Sequence, residues 1–487
     1  MSPSEPELTL DPESWDALRA HGHRALDELL DWLRDVRSRP AWQAMPEATR
    51  AALRQPAPME GQGLDGAWED FRRHVLPYPW GNIHPRFWGW VVGTGSPSGV
   101  LAEMATAVLN VNAGGGNHAG PYLEIQVVDW FKELLGFPKD ASGLLVTGGS
   151  VANLVGLAAA RDAAATDIPE AGVAESGRGL VLYASSQTHN SVDKAVRLLG
   201  LGQRGLRSVP VDEEHRIDVA ALEHRIAEDR AAGLRPFCIV GNAGTVNTGA
   251  LDDLSALADI AARERLWLHV DGAFGALVAL SDRLRPLVRG LERADSIAFD
   301  LHKWMYLPYD IGCVLVRDAE AHRRPFTTHA SYLSRMSRGP APLDRDPGTL
   351  GPELSTELRG LKAWLLLKEH GIARYARLIE QNVDQARYLA DLVRAAPELE
   401  LMAPVPLNIV CFRYRGTGER SAESLDQLNR ELLMRIQEQG IAVPSQTALG
   451  GRFALRVAIV NHRSRREDFD LLVAKAVELG GEIAAGR

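Results

Sequence analysis

Between residues 144 and 316 the chain alternates short apolar runs with longer stretches whose apolar positions recur every three to four residues. The runs LLVT, LVLYAS, PFCIVG, LWLHVD, SIAFD and CVLVR are strand-like, and the stretches at 150–164, 189–200, 218–232 and 252–265 have helical spacing. This alternation predicts a mostly parallel sheet with helices on both faces. Upstream, Asp11-Pro12 reads as an N-cap and first-turn proline opening a helix over 12–37, with Trp15, Leu18, Leu26, Leu29, Leu30 and Leu33 on one face. Residues 38–66 read as a connecting segment, and YPWGNIHPRFWGWVVGTGSPSG has no clean period. Past residue 355, two long helical stretches precede strand-like NIVCFRY and FALRVAIV, each followed by a helix, which predicts a smaller α+β domain. The expected divisions are an N-terminal helical segment over 1–100, a large α/β domain over 101–354 and a small domain over 355–487.

Composition narrows the class. A 487-residue chain that is 45 % hydrophobic and 24 % charged is an ordinary globular protein long enough for a large core. The net charge of −9 argues against a nucleic-acid or anionic-membrane partner. Cys238, Cys313 and Cys411 each sit inside an apolar strand-like run, as small core residues do, and not at disulfide or metal-ligand spacing. No apolar run approaches the roughly 18 residues of a membrane span, and the acidic start is unlike a signal peptide, so a cytoplasmic protein is expected.

Ligands of open parallel sheets bind at the carboxyl ends of the strands, so the residues after each run carry the chemistry. LLVT is followed by Gly148-Gly149-Ser150 and a helix, an arrangement that can cradle a phosphate or serve as a plain cap. LVLYAS leads to His189 at the start of a helix, PFCIVG to Asn242-Ala243-Gly244-Thr245, and LWLHV to Asp271-Gly272-Ala273. SIAFD leads to His302-Lys303, a lone lysine between two buried strands and beside Trp304. A lysine is costly to desolvate, so its place there calls for a chemical reason. Together the five strand ends offer a phosphate cradle, an imidazole, a threonine, a carboxylate and an amine. That is the kit for pyridoxal phosphate, which needs an amine for a Schiff base and a carboxylate against its ring nitrogen.

The motifs HVDGAFG, DLHKW, TGGSVANL and SSQTHNSVDKA resemble those of the group II pyridoxal-phosphate-dependent amino-acid decarboxylases, whose members act on aromatic amino acids, histidine and glutamate. The resemblance spans nearly the whole chain. It implies fold type I, with a mostly parallel seven-stranded sheet and a small C-terminal domain. It also implies a homodimer with its active sites at the subunit boundary and the N-terminal segment wrapped around the partner. By the same resemblance Lys303 forms the Schiff base, Asp271 pairs with the ring nitrogen, His189 stacks on the ring and Ala273 packs under it. Gly149, Ser150 and His302 would hold the phosphate, with Asp300 where relatives commonly carry Asn, and Thr245 is counted among the cofactor-binding residues. A carboxylate at Asp300 repels phosphate unless it is protonated or turned away.

The implied reaction is decarboxylation of an L-amino acid to its amine through a Schiff base and a quinonoid. THASYLSRMSRG, residues 328–339, reads as a mobile loop whose one phenol is Tyr332. In the family a tyrosine here protonates the quinonoid, whereas relatives with phenylalanine are aldehyde synthases. An oxidative aldehyde synthase and a non-catalytic cofactor-binding homologue are the alternatives within the family. A dinucleotide-binding reading rests on Gly114–Ala119, a loose G-x-G-x-x-A without a clear preceding strand. For the substrate pocket the family points to Trp88, Trp90, Val91 and Val92, and to Asn110, Asn112 and Gly114–His118. The second set is polar where aromatic-specific relatives are bulkier. Arg86 reads equally as a contact for an acidic substrate or as a structural pairing partner. No metal is expected.

Overall fold

The computed structural model describes residues 8–327, 339–340, 346–416, 418 and 420–486. Twelve strands are present among them: β1 (Phe87–Trp88), β2 (Ser142–Val146), β3 (Leu180–Ser185), β4 (Leu206–Val209), β5 (Arg235–Asn242), β6 (Trp267–Asp271), β7 (Ser296–Asp300), β8 (Gly312–Val316), β9 (Leu399–Leu401), β10 (Ile409–Tyr414), β11 (Val443–Leu449) and β12 (Arg452–Ala458). Seven form one sheet in the order β2-β8-β7-β6-β5-β3-β4. Only β8 runs against the others, pairing antiparallel with both β2 and β7. The carboxyl ends of β2, β3, β5, β6 and β7 therefore share one edge of the sheet.

These strands are apolar because both faces are covered. Every residue of β3, β7 and β8 is buried. Helix Gly149–Ala164 lies across the sheet through small residues such as Ala152, Gly156 and Ala159. A Cβ on Gly156 would fall 2.7 Å from the His269 ring, so only glycine lets the helix come this close. On the other face Val270, Ile297, Phe299 and Leu315 join the main core. Cys238, Cys313 and Cys411 are free and buried.

The second sheet, β1-β11-β12-β10-β9, packs against helices Ile372–Ala395, Ala422–Glu438 and Arg466–Ala484 through residues such as Phe412, Leu432, Leu455 and Phe469. Its edge strand β1 comes from far upstream and pairs parallel with β11. Trp88 anchors that crossing by stacking on Phe469 at 4.9 Å and donating from Nε1 to Ser464 Oγ at 3.0 Å. The segment YPWGNIHPRFWGWVVGTGSPSG lacks a period because it is this crossing, held by side chains and not by a regular element.

The N-terminal helix is Trp15–Arg34, shorter than the pattern suggested. Ser14, not Asp11, caps it, with Oγ accepting from the Ala17 N–H at 3.2 Å. None of its residues is buried, and Trp15 is 61 % exposed. Gly114–His118 is a turn between helices Pro97–Leu109 and Ala119–Leu134, so no strand leads into it and the dinucleotide reading falls. Among the described residues no helix is long and apolar enough to cross a membrane.

Candidate active site

A cleft of about 440 Å³ opens at the shared carboxyl edge of the large sheet. It is lined by Gly148, Gly149 and Ser150 after β2, His189 and Ser191 after β3, and Asn242 and Gly244 at the end of β5. Asp271 and Ala273 at the end of β6, Asp300, His302 and Lys303 at the end of β7, and Trp90 and Val91 also line it.

Lys303 sits in the short helix Leu301–Trp304 that turns the chain from β7 into β8. Its aromatic neighbours anchor that turn. Trp304 Nε1 and the Tyr306 hydroxyl both donate to Asn382 Oδ1, at 3.0 and 2.9 Å, on helix Ile372–Ala395. The Lys303 Nζ lies 2.8 Å from Asp300 Oδ2. Burial lowers the affinity of Lys303 for its proton, but the charge and hydrogen bond of Asp300, aided by Asp271, outweigh it and raise the pKa above the ordinary value.

Asp271 is buried and fully engaged. Its Oδ1 accepts from the Ala273 N–H at 3.1 Å, and its Oδ2 accepts from Asn153 Nδ2 at 3.0 Å. Because a carboxylate only accepts, the amide nitrogen of Asn153 must face it, and Asn153 Oδ1 must face His269 Nε2 at 2.9 Å. His269 therefore donates from Nε2 and accepts at Nδ1 from the Ser296 hydroxyl at 2.7 Å, while Ser296 Oγ accepts from Trp267 Nε1 at 2.8 Å. Burial pushes the His269 pKa down to about 3, so the ring is neutral as this chain of donors requires.

The same Asn153 amide donates to Ser191 Oγ at 3.0 Å, and Ser191 Oγ lies 2.9 Å from His189 Nδ1. His189 Nδ1 also accepts the Ser191 N–H, which caps helix Asn190–Leu198. Burial lowers the His189 pKa, with Asp271 opposing and Lys303 adding to the fall. Asp271 and His189, distant in sequence, are thus joined by one amide. At the other end of the cleft, helix Gly149–Ala164 begins without a side-chain cap; the Val151 N–H is taken by the Gly148 carbonyl at 3.0 Å, which leaves the N–H groups of Gly149 and Ser150 facing a ligand site. His302 is buried, accepts the Ile311 N–H at Nδ1 (3.1 Å) and lies against the Tyr309 ring at 4.2 Å.

The model of the pyridoxal-dependent decarboxylase conserved domain matches residues 46–415. An aromatic-L-amino-acid decarboxylase of Bacillus atrophaeus is 34 % identical over 97 % of this chain and 97 % of its own length. The chain belongs to the pyridoxal-dependent decarboxylase family. A phenylacetaldehyde synthase of Petunia hybrida is 29 % identical over 92 % of this chain and 91 % of its own. The crystal structure of Oryza sativa TDC with PLP and tryptamine superposes with a TM-score of 0.90 at 28 % identity, covering 98 % of this chain and 100 % of that one.

Membership makes the protein a pyridoxal-phosphate-dependent carboxy-lyase, and the cleft fits that cofactor. A decarboxylase of this family needs an amine, a carboxylate and an anion cradle within one cofactor's length, and Lys303, Asp271 and the Gly149 helix end all line this one cleft. Not every residue expected in the site reaches it. Thr245 spends its hydroxyl on its own turn, accepting from the Ala250 N–H at 3.1 Å and facing Thr248. Asn110 and Asn112 lie outside the cleft lining, and Asn112 Oδ1 instead accepts from the N–H groups of Gly114 and Thr356. Trp88 is spent in the β1 crossing. Arg86 Nε donates to the Ile441 carbonyl at 2.6 Å, a structural role. Tyr332 lies outside the described residues.

The cleft also holds Asn153, Asn242 and Ser191, to which the sequence reading assigned no role. Asn153 is the Asn of TGGSVANL, one helical turn after Ser150, and that i, i+3 spacing places it on the same face. Asn242 ends β5 and was met in the sequence only as the start of a loop; its Nδ2 donates to Thr188 Oγ1 and Asp252 Oδ2, both at 3.0 Å.

Proposed function

We propose that this enzyme decarboxylates an L-amino acid with an aromatic side chain to the corresponding amine. The observation that carries the reading is the wall at the mouth of the cleft. Trp90 lines it and packs against Trp80 at 4.8 Å and Phe87 at 6.3 Å, while Lys303 is the one lysine or arginine among the described lining residues. A flat apolar side chain gains from such a surface, and a second carboxylate would find no guanidinium there. The names of the B. atrophaeus relative and of the rice enzyme held with tryptamine support the same class.

Pyridoxal phosphate, when bound, supplies the electron sink that loss of a carboxylate requires. The chain's own part is positioning. Asp271, fixed by Asn153 and the Ala273 N–H, is the carboxylate positioned for the ring nitrogen. The Asp300 carboxylate holds the proton-rich Lys303 Nζ in reach of the site. The apolar walls exclude water where the carboxylate leaves. Tyr332 is the phenol we assign to deliver a proton to the substrate α-carbon, which leads to amine and not aldehyde. The enzyme works as a homodimer in this reading. Supporting it, helix Trp15–Arg34 buries none of its residues, and helix Pro97–Leu109 leaves Leu101, Met104 and Val108 exposed, the last by 85 %.

The test is a panel of free L-amino acids, aromatic, acidic, basic and aliphatic, scored for carbon dioxide and amine with the cofactor-loaded enzyme. Turnover confined to tryptophan, tyrosine, phenylalanine and their hydroxylated forms supports the proposal. Preferential release from glutamate, aspartate or cysteine sulfinate overturns it.

A further inference from the structure

Asn153 stands behind both of the groups assigned to face the cofactor ring, Asp271 and His189. It is 1 % exposed, and each polar atom of its amide is engaged. The two protons on Nδ2 go to Asp271 Oδ2 and to Ser191 Oγ, each at 3.0 Å, and Oδ1 accepts from His269 Nε2 at 2.9 Å. These bonds reach two elements, since His269 and Asp271 lie on β6 and Ser191 lies in helix Asn190–Leu198. A side-chain amide carries two donor protons on one atom and an acceptor on the other without any charge. Aspartate would have the shape without the protons, and threonine would have one proton for two acceptors.

The branch through Ser191 decides where His189 keeps its proton. Ser191 Oγ accepts from Asn153, which leaves its own proton for His189 Nδ1, 2.9 Å away. The Ser191 backbone N–H points at the same nitrogen from 3.2 Å, as the cap of helix Asn190–Leu198. Two donors on one ring nitrogen leave no place for a proton there, so the neutral ring carries it on Nε2. A proton on Nδ1 would face the Ser191 N–H, undo the cap and set a positive charge at a helix N-terminus, where the dipole opposes it. Burial disfavours the imidazolium most; Lys303 and Lys194 act the same way, and Asp271 and Asp300 oppose them. No group among the described residues bonds Nε2, so the ring's one proton lies on the side away from Ser191.

We propose that Asn153 is a positioning residue of the decarboxylation site: through one amide it orients Asp271 and holds His189 as a neutral ring with its proton on Nε2. The partner of the ring nitrogen and the stacking imidazole must meet one flat cofactor at the same time, and a shared amide ties their positions together. The donors then run one way, from His269 through Asn153 and Ser191 to His189. The inference rests on the roles proposed above for Asp271 and His189, and not on which amino acid is the substrate.

The test uses the full-length chain, isotope-labelled at the histidine nitrogens, with the His189 signals assigned by their loss in His189→Gln. Solid-state NMR reads which ring nitrogen carries the proton, and the wild type at neutral pH should show it on Nε2. Asn153→Asp keeps the shape but takes the Ser191 hydroxyl proton, so Ser191 Oγ turns to His189 as an acceptor and the ring proton should move to Nδ1. Asn153→Leu has a similar volume and no hydrogen bonds. Both variants should bind 4′-deoxypyridoxine 5′-phosphate, which cannot condense with Lys303, at least about tenfold more weakly than the cofactor-free wild type. A wild-type proton on Nδ1, a proton that stays on Nε2 in Asn153→Asp, or an affinity within about threefold of wild type in either variant overturns the proposal. Should neither variant fold, the wild-type tautomer decides alone, Nε2–H supporting it and Nδ1–H overturning it. Asp271→Ala separates the two readings. If that change leaves the affinity unaltered, Asp271 does not face the ring and both fail; if it weakens binding while the Asn153 variants do not, only the positioning role fails.

Discussion

Ser296→Ala removes the far end of the donor chain that runs behind Asn153 while changing little else. Ser296 is completely buried, and its hydroxyl serves two partners, His269 Nδ1 at 2.7 Å and Trp267 Nε1 at 2.8 Å. The substitution leaves an imidazole lone pair and an indole N–H without partners. A buried group so stranded costs about 1–3 kcal/mol, and because the Trp267 end is only half-buried the sum should be about 2–4 kcal/mol. The assay is urea unfolding of the cofactor-free protein followed by circular dichroism, with the midpoint shift read at a common slope. Trp267→Phe removes the stranded N–H at its source, so the double variant should recover roughly 1 kcal/mol of the loss relative to the sum of the singles. His269 keeps its Nε2 proton for Asn153 in every case, so cofactor affinity should change less than about threefold. A stability loss under about 1 kcal/mol, or strict additivity of the two changes, would show that the donors do not run in the stated direction.

Three further outcomes are expected. Tyr332→Phe should lower amine yield and raise aldehyde and peroxide in air, by about tenfold or more in the amine-to-aldehyde ratio, with argon suppressing the aldehyde; an unchanged ratio returns Tyr332 to a structural role. Removing residues 1–40 should abolish the dimer and the activity together, and a stable, active monomer by sedimentation would refute the assembly. Burial holds His269 at about 3 and His84, His322 and His462 at about 4, below their ordinary 6.5, so protons bind the unfolded chain more readily. Stability should therefore fall as pH drops from about 6.5 toward 4, by at most about 1.4 kcal/mol per unit for each histidine. Glu124, raised by burial to about 7, has the opposite sign and offsets one of the four. A flat unfolding free energy between pH 7 and 5 would contradict these burials.

The strands of the large sheet were legible because both their faces are covered, so β3, β5, β6, β7 and β8 stand out as unbroken apolar runs. β4, whose first three residues are not buried, has no such run and escaped notice, as did the two-residue β1. Cleft residues at or just past a strand end, such as Asp271 and Lys303, were legible because the chemistry of a strand end is read directly from the next few letters. Thr245 misled for the same reason: it follows β5 at the right place, but its hydroxyl turns back to Ala250. Asn153 was hidden because an asparagine on a helix carries meaning only through the carboxylate and imidazole it joins, which lie more than a hundred residues away. The N-terminal helix was visible as a period, and its cap was misplaced by three residues because Asp11-Pro12 and Ser14 both satisfy the rule for a helix start.

The account turns on Lys303 as the amine that holds the cofactor. Borohydride reduction of the cofactor-loaded enzyme fixes pyridoxal phosphate to that amine, and peptide mapping then identifies it. The label should fall on the peptide containing Lys303 and vanish, with the visible absorbance, in Lys303→Ala. Lys362, fully buried and paired with Glu103 at 2.7 Å, should stay unlabelled. A label on Lys362, on Lys194, or retained in Lys303→Ala would contradict the assignment of the active site.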